Sequence, residues 1–290
     1  MTGVGHGGAA GPGAVTTRFS DRLRVTRPWP RELRPYVHSY DGYRVDATTS
    51  YRVRLVPTGR AVVVINLGEP FAQVFRLKET GPAVRVVGSL VAGLEDGPRV
   101  CDHPGGQEAI RLELTPLGAY RLFALPMREL TNGVFELRDV LGPGADELVE
   151  RMSATRDWTQ RFDLLDAALL TRLDRGPDPS PEVAHAWRLL TRSAGTTPVA
   201  RVAAEVGWSH AHLVRRFTHQ VGLTPKTTAR VLRFHRSVEL LSRGGTDLRQ
   251  LAAACGFYDQ AHLNREFRAL ADITPAGLAN ARRVEGAHEL

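Results

Sequence analysis

The C-terminal half of this chain is written twice, and that repetition constrains the fold more than any other feature. Residues 202–217, closed by Leu223-Thr-Pro225, recur as residues 251–267, closed by Ile273-Thr-Pro275. Gly207 corresponds to Gly256, Leu213 to Leu263, Phe217 to Phe267 and Pro225 to Pro275, and the second copy holds one extra residue in its turn. An offset of about 50 residues marks a supersecondary unit used twice. Each copy decodes as helix, tight turn, helix. In the first, Thr197 is placed to N-cap and Pro198 to take the first helical position. Val199, Val202, Ala203 and Val206 then make an i, i+3, i+4, i+7 stripe. Gly207 ends that helix in the left-handed region. Ser209 caps the next helix, which buries Leu213 and Phe217 and stops at Gly222. In the second copy Asp247 caps, Leu248, Leu251, Ala252 and Cys255 form the stripe, and Gly256 ends the helix. Asp259 then caps a helix that buries Leu263 and Phe267. Cys255 falls where Val206 stands in the first copy, which makes it a core residue.

The charge has the same address. The 290 residues carry a net +7, but residues 1–179 hold only +1 of it and residues 180–290 hold +6. A basic unit joined to a neutral one suits a polyanionic partner, although a solvated basic surface accounts for the charge equally well. Lysine occurs only as Lys78 and Lys226, a bias that GC-rich codon usage would explain, so the abundance of arginine is not itself a signal.

The segment Asp174-Arg-Gly-Pro-Asp-Pro-Ser-Pro181 is the clearest break in the chain, since closely spaced prolines favour an extended linker. The expected layout is a disordered tail at 1–18, a β-rich first domain at 19–174, a linker at 175–181, an all-α domain at 182–284 and a short tail at 285–290. Strand signals fall at 51–57, 60–67, 71–77, 83–87 and 109–115, with Ile110, Leu112 and Leu114 on one face. Many short strands suggest a small barrel or sandwich. Helical spacing follows at 116–124, 146–152 and 158–173. The fold class is therefore multi-domain α+β. The longest strongly apolar run, 61–65, is far below the ~20 residues of a membrane helix. No signal peptide is visible, and two cysteines cannot staple a secreted fold, so a cytoplasmic location and no membrane partner are expected.

A helix-turn-helix docks its second helix in the major groove by the N-terminal turns. With Leu213 and Phe217 inward, the first such helix presents His210, Ala211, Val214 and Arg215. With Leu263 and Phe267 inward, the second presents Gln260, Ala261, Asn264, Arg265 and Arg268. Arginine pairs with guanine, Asn and Gln pair with adenine, and Ala and Val meet the thymine methyl. Arg201, Arg216 and Lys226 are placed for phosphates, which position without specifying. His212 and His262 stand at matched positions beside buried leucines and read as packing or phosphate-contact residues rather than metal ligands. A generic helical repeat would share the apolar stripes, but not the agreement of caps, turn, charge and Thr-Pro stops.

Residues 181–283 resemble the AraC/XylS family of transcriptional regulators. The likeness rests on Gly207-Trp-Ser209, Arg215-Arg-Phe217, Gly222-Leu-Thr-Pro-Lys226, Arg233-Phe234 and Cys255-Gly-Phe-Tyr-Asp-Gln-Ala-His-Leu-Asn-Arg-Glu-Phe267. It implies two helix-turn-helix units joined by one long helix, residues 225–241, with Val231, Phe234, Val238 and Leu241 on its apolar face. It further implies promoter or operator double-stranded DNA as partner and a first domain, often a cupin-like barrel, that senses a ligand or dimerises. A small-molecule effector, a homodimer and RNA polymerase are the additional partners it admits. Residues 30–175 are also similar to the N-terminal domain of family members from GC-rich genomes, through Leu114-Thr-Pro-Leu-Gly-Ala119 and Pro126-Met-Arg-Glu-Leu-Thr-Asn132.

Three other functions compete. A metal-dependent cupin enzyme needs several histidines and a carboxylate around a metal, and residues 19–175 offer only His38 and His103. A reactive thiol at Cys101, next to His103, would suit an alkyl-transfer repair regulator, but a loop cysteine without function is the simpler expectation. An adaptor for an acidic protein would use the basic helices without reading bases. No enzyme activity, metal or cofactor is therefore expected.

Overall fold

The structure, a computed structural model, describes residues 15–19, 22–46, 49–69, 71–77, 81–244 and 247–279. Within the stretch expected to be a disordered tail, Val15–Phe19 forms strand β1, paired antiparallel with β2 (Arg22–Thr26). The rest of that expectation, and the one for 285–290, lies outside the described residues.

The N-terminal half builds two antiparallel sheets. One has seven strands in the order β1-β2-β3-β10-β5-β8-β11, adding β3 (Val37–Val45), β5 (Ala61–Asn66), β8 (Leu90–Ala92), β10 (Gln107–Leu114) and β11 (Val134–Glu136). The other has four, β4 (Tyr51–Leu55), β9 (Arg99–His103), β6 (Ala72–Leu77) and β7 (Ala83–Val87), in the order β4-β9-β6-β7. Strand β10 is central because it hydrogen-bonds on both edges, Ile110 opposing Gly42 of β3 and Ile65 of β5. Its alternating Ile110, Leu112 and Leu114 are all buried, as a strand with one face on a core requires. Cys101, expected in a loop, instead lies buried in β9 and faces Phe75 of β6 across the ladder. A five-residue strand carrying Arg99, Asp102 and His103 has too polar a pattern to be read from sequence.

Helices α1 (Pro116–Phe123), α2 (Leu137–Leu141), α3 (Gly144–Ala154) and α4 (Trp158–Arg175) follow. Thr115 caps α1 by accepting the Gly118 N–H at 3.1 Å. Helix α4 packs on β3 through aromatic and charged contacts. The Trp158 ring occupies the space that a Cβ on Gly42 would need. Tyr40 stacks on Phe162 at 5.1 Å between ring centroids and donates to Asp166 at 2.8 Å. Arg27 closes the group by donating to Asp166 at 2.5 Å and Asp163 at 2.7 Å. Arg161 is buried, and it survives there because Glu108 and the Met152 and Thr155 carbonyls take its hydrogens while its guanidinium lies 4.6 Å over Trp158.

The C-terminal half is helical. It comprises α5 (Pro181–Arg192), α6 (Val199–Glu205), α7 (His210–Val221), α8 (Pro225–Ser242), α9 (Leu248–Ala254) and α10 (Gln260–Ala271). The two halves touch along α8. A Cβ on Gly59, at the turn into β5, would lie 3.5 Å from Leu232 of α8. At this contact two histidines face each other's charges. Burial, then the charge of Arg60, pull His38 of β3 below the ordinary histidine value. Burial and Arg60 do the same to His235 of α8, although Glu239 lies 3.2 Å from its Nε2. Glu113 of β10 acts on both in the opposite direction.

Two outcomes are expected. Gly42→Ala forces the Trp158 ring to move and costs about 1–3 kcal/mol in urea unfolding; a loss below about 0.5 kcal/mol would mean the ring has room to spare. His38 and His235 bind their protons less readily folded than unfolded, so the unfolded chain gains protons first as pH falls below about 6.5. Stability at the α8 contact is thus full above that pH and declines below it. The double variant His38→Gln/His235→Gln should show a shallower decline in urea midpoint from pH 7 to about 5.5, and an unchanged decline would remove these histidines from the effect.

Candidate nucleic-acid interface

Each sequence copy folds as a helical pair around its turn. In the first, α6 ends at the Gly207 turn, where φ is +70°, and in the second α9 ends at the Gly256 turn, where φ is +72°. This backbone region is nearly closed to other residues. Ser209 accepts the His212 N–H at 3.3 Å to start α7, and Asp259 accepts the His262 N–H at 2.6 Å to start α10. Two caps differ from the sequence expectation. The residue at the N-cap of α6 is Pro198, not Thr197, because Pro198 is extended at ψ 137° and the helix begins one residue later. Asp247 occupies the N-cap of α9 without a side-chain hydrogen bond to the backbone. Leu213, Phe217, Leu263, Phe267 and Cys255 are all fully buried.

That inward set leaves a defined outward one. On α7, His210, Ala211 and Arg215 are exposed and Val214 is half-buried. On α10, Ala261, Arg265 and Arg268 are exposed, while Gln260 and Asn264 are half-buried. Arg201 on α6, Arg216 on α7 and Lys226 in the first turn of α8 are exposed as well. Arg215 donates to Nδ1 of His212 at 3.1 Å, so its guanidinium lies folded along the helix. His212 packs edge-on to Trp208 at 4.6 Å and His262 edge-on to Phe257 at 5.4 Å between centroids. These equivalent contacts pack each ring against the aromatic residue of its own turn. One candidate escaped the sequence reading. Tyr258, in the turn before α10, is 93% exposed. A large aromatic ring left in water beside the first turn of α10 is the kind of side chain that meets a sugar-phosphate edge. Its place in a polar turn gave no apolar pattern to find it by.

The N-terminal half holds α7 and α10 by their far ends. At the end of α7, Arg128 donates to Nδ1 of His219 at 3.0 Å, and Tyr120 of α1 lies edge-on to the same imidazole at 5.9 Å. A Cβ on Gly222, just beyond α7, would lie 3.1 Å from the Met127 carbonyl oxygen. Gln220 accepts the backbone N–H of Ser180, in the segment between α4 and α5, at 3.0 Å. At the end of α10, Arg54 of β4 donates to the Ala271 carbonyl at 3.3 Å and pairs with Asp272 at 3.6 Å. The N-terminal turns of both helices stay uncovered. Elsewhere, His103 Nε2 lies 3.0 Å from Gln107 Oε1, which gives it a partner other than the Cys101 thiol. Among the described residues no three His, Cys, Asp or Glu side chains are placed to share a metal ion, and no helix is long and apolar enough to cross a membrane.

Comparison with known proteins finds two separate family matches along the chain. Residues 202–281 match the family described as "Helix-turn-helix domain", and residues 26–136 match "Domain of unknown function (DUF6597)". The "Uncharacterized HTH-type transcriptional regulator YbfI" of Bacillus subtilis (strain 168) is 34% identical over 97 residues, 32% of this chain. The match spans only 34% of that relative's own length. Among solved structures, ToxT from Vibrio cholerae aligns over 83% of this chain and 97% of its own at 11% identity and a TM-score of 0.47. A transcriptional regulator with an AraC-type DNA-binding domain from Chromobacterium violaceum aligns over 37% of this chain and 95% of its own at 27% identity and a TM-score of 0.34. The chain thus carries, over residues 202–281 at its C-terminus, a helix-turn-helix domain of the AraC type.

Proposed function

We propose that this protein is a sequence-specific DNA-binding transcription regulator, with residues 182–284 as its reading unit, residues 19–174 as its controlling unit and residues 175–181 as the connection. The observation that carries the proposal is the pairing of two matched helices, α7 and α10, whose polar N-terminal turns are uncovered while their far ends are held. The 18 residues of α8 span about 27 Å, a distance that lets α7 and α10 address successive major-groove segments on one face of a duplex.

In this reading Arg215 and Arg265 pair with guanine O6 and N7, and Gln260 and Asn264 pair with adenine. His210, Ala211, Val214, Ala261 and Arg268 line the same groove. Arg201, Arg216 and Lys226 neutralise phosphates and set the register. Control passes from the first half through its grip on the ends of α7 and α10, by a small molecule or by dimerisation of the chain. Contact with RNA polymerase is the partner step that transcription then adds.

A gel shift of the full-length protein with genomic fragments at two salt concentrations tests the function itself. Affinity should fall steeply with salt, in proportion to the phosphates neutralised. Salt-insensitive binding, or none, would favour an adaptor for an acidic protein. On a selected site, Arg265→Ala should cost about 1–3 kcal/mol and relax discrimination at one base pair; an equal loss on random DNA would refute base reading. Lys226→Gln should weaken all sequences alike and lower the salt slope by about one.

A further inference from the structure

Arginines packed against the sheets of the N-terminal half find acids. Arg27 pairs with Asp163 and Asp166, Arg99 with Glu95, and Arg161 with Glu108. A groove of about 460 Å³ between α1, α3 and α4 departs from that pattern. Arg121, Arg151, Arg172 and Arg175 line it, and no Asp or Glu among the described residues does. Arg151 and Arg175 are exposed and have no ion pair or hydrogen bond to a described residue. Arg172 is half-buried, and its partner is a neutral one, the Leu141 carbonyl at 2.7 Å. Burial pulls it below the ordinary arginine value, with no carboxylate near enough to offset the loss. Arg121 donates to the Tyr36 hydroxyl at 2.6 Å and the Leu173 carbonyl at 2.7 Å, and lies 3.3 Å from Asp178, which is 85% exposed. Among the described residues these four guanidiniums thus have one carboxylate, and that one stands in water.

The shape of the groove follows from α4. Leu164, Ala168, Arg172 and Arg175 fall on one helical face, so that face runs along the groove for about 16 Å. Alanines at 167 and 168 keep its middle hollow, and Phe123, Leu148 and Leu164 add apolar wall. The two ends differ. At one, Gly176 backs onto the Arg121 carbonyl with no room for a Cβ, which brings the start of the connection against α1 beside Arg172 and Arg175. At the other, Arg151 and Leu164 lead into an adjoining hollow lined by Thr155 and Gln160. A concentration of positive charge at one end of an apolar trough defines the chemistry that would fill it. A single carboxylate offsets one guanidinium. A phosphate ester carries about −1.5 to −2 and presents oxygens that guanidiniums take in bidentate pairs. DNA is one source of phosphate, but it is poorly placed. Helix α1 meets α7 through Tyr120 and His219, at the opposite end of α7 from its uncovered N-terminal turn.

We propose that the groove between α1, α3 and α4 binds a small organic diphosphate, its phosphates held by Arg121, Arg172 and Arg175 and its apolar body lying along Leu148, Leu164 and Ala168 toward Arg151. The guanidiniums supply the charge and the alanines supply the room. The site stands on its own residues and does not depend on the DNA-binding role assigned above.

The test uses the full-length protein without DNA, so it stands or falls separately from the gel shift. Titration calorimetry and thermal unfolding are run with the diphosphates of adenosine, guanosine and geraniol, with the three parent alcohols, and with inorganic pyrophosphate as an anion lacking a body. At least one organic diphosphate should bind and raise the unfolding temperature. Its parent alcohol should not, and pyrophosphate should bind about tenfold more weakly or worse. Arg172→Gln and Arg175→Gln should each weaken that diphosphate about tenfold. Ala167 is exposed, so Ala167→Glu leaves the core intact and sets a carboxylate in the groove; it should abolish binding, while Ala167→Gln, of equal size, should retain it. A short DNA duplex in excess should not displace the bound compound. Four results would overturn the proposal: no binding by any organic diphosphate, equal binding by the parent alcohol or by pyrophosphate, undiminished affinity in Ala167→Glu and both arginine variants, or displacement by the duplex.

Discussion

The packing of α8 is the contact on which the other elements depend. Phe234, fully buried, meets Phe267 of α10 edge-on at 5.0 Å between centroids. Burying such a ring is worth about 1.5–3 kcal/mol, with somewhat more from the aromatic geometry. Either side of it, Arg230 pairs with Glu266 of α10 at 2.5 Å, and Arg233 donates to the Gly195 carbonyl, ahead of α6, at 2.6 Å. One helix therefore fixes the second unit through its recognition helix and the first through its entry loop. Its outward residues Leu232 and His235 meet the N-terminal sheet. Anything that shifts α8 moves both units together.

Legibility differed sharply between the halves. In the C-terminal half each structural decision was local: Gly207 and Gly256 end helices, Ser209 and Asp259 start them, and Leu213 and Leu263 set their inner faces. Such signals can be read from a few residues. The exposed set on α7 and α10 followed by subtraction. In the N-terminal half β4 to β7 and β10 were legible from alternation and β-branched content. Strands β9 and β11 were not, because they are short and their polar residues are satisfied by partners far away in sequence. Arg99 is one case, donating to the Asn132 carbonyl at 2.8 Å. No local pattern announces that contact. Thr197 shows the limit of cap reading, since an adjacent Pro198 fits either of two positions and only the backbone angle decides between them.

The polar cluster between the two sheets was beyond the sequence for a related reason. Gln73, His103, Gln107 and Arg111 lie on three strands and meet only when two sheets close. Their chemistry is cooperative as well. The tautomer of His103 is set by Gly105, and it in turn sets which end of Gln107 faces which neighbour. The buried charges behind the sheet have strong partners on neighbouring strands, Arg161 with Glu108 of β10 and Asp166 with Tyr40 of β3, and these fix α4 against the sheet.

The grip on the far ends of α7 and α10 also limits how the molecule can be divided. The surface of the helical half that meets Tyr120, Met127 and Gly59 includes His219, Gly222 and the apolar Leu232. A fragment starting near Pro181 would turn that seam outward. Its solubility and the spacing between its two reading helices would then both depart from those of the intact chain. On the proposed reading, half-site spacing is in that sense a property of the β sheets as much as of α7 and α10.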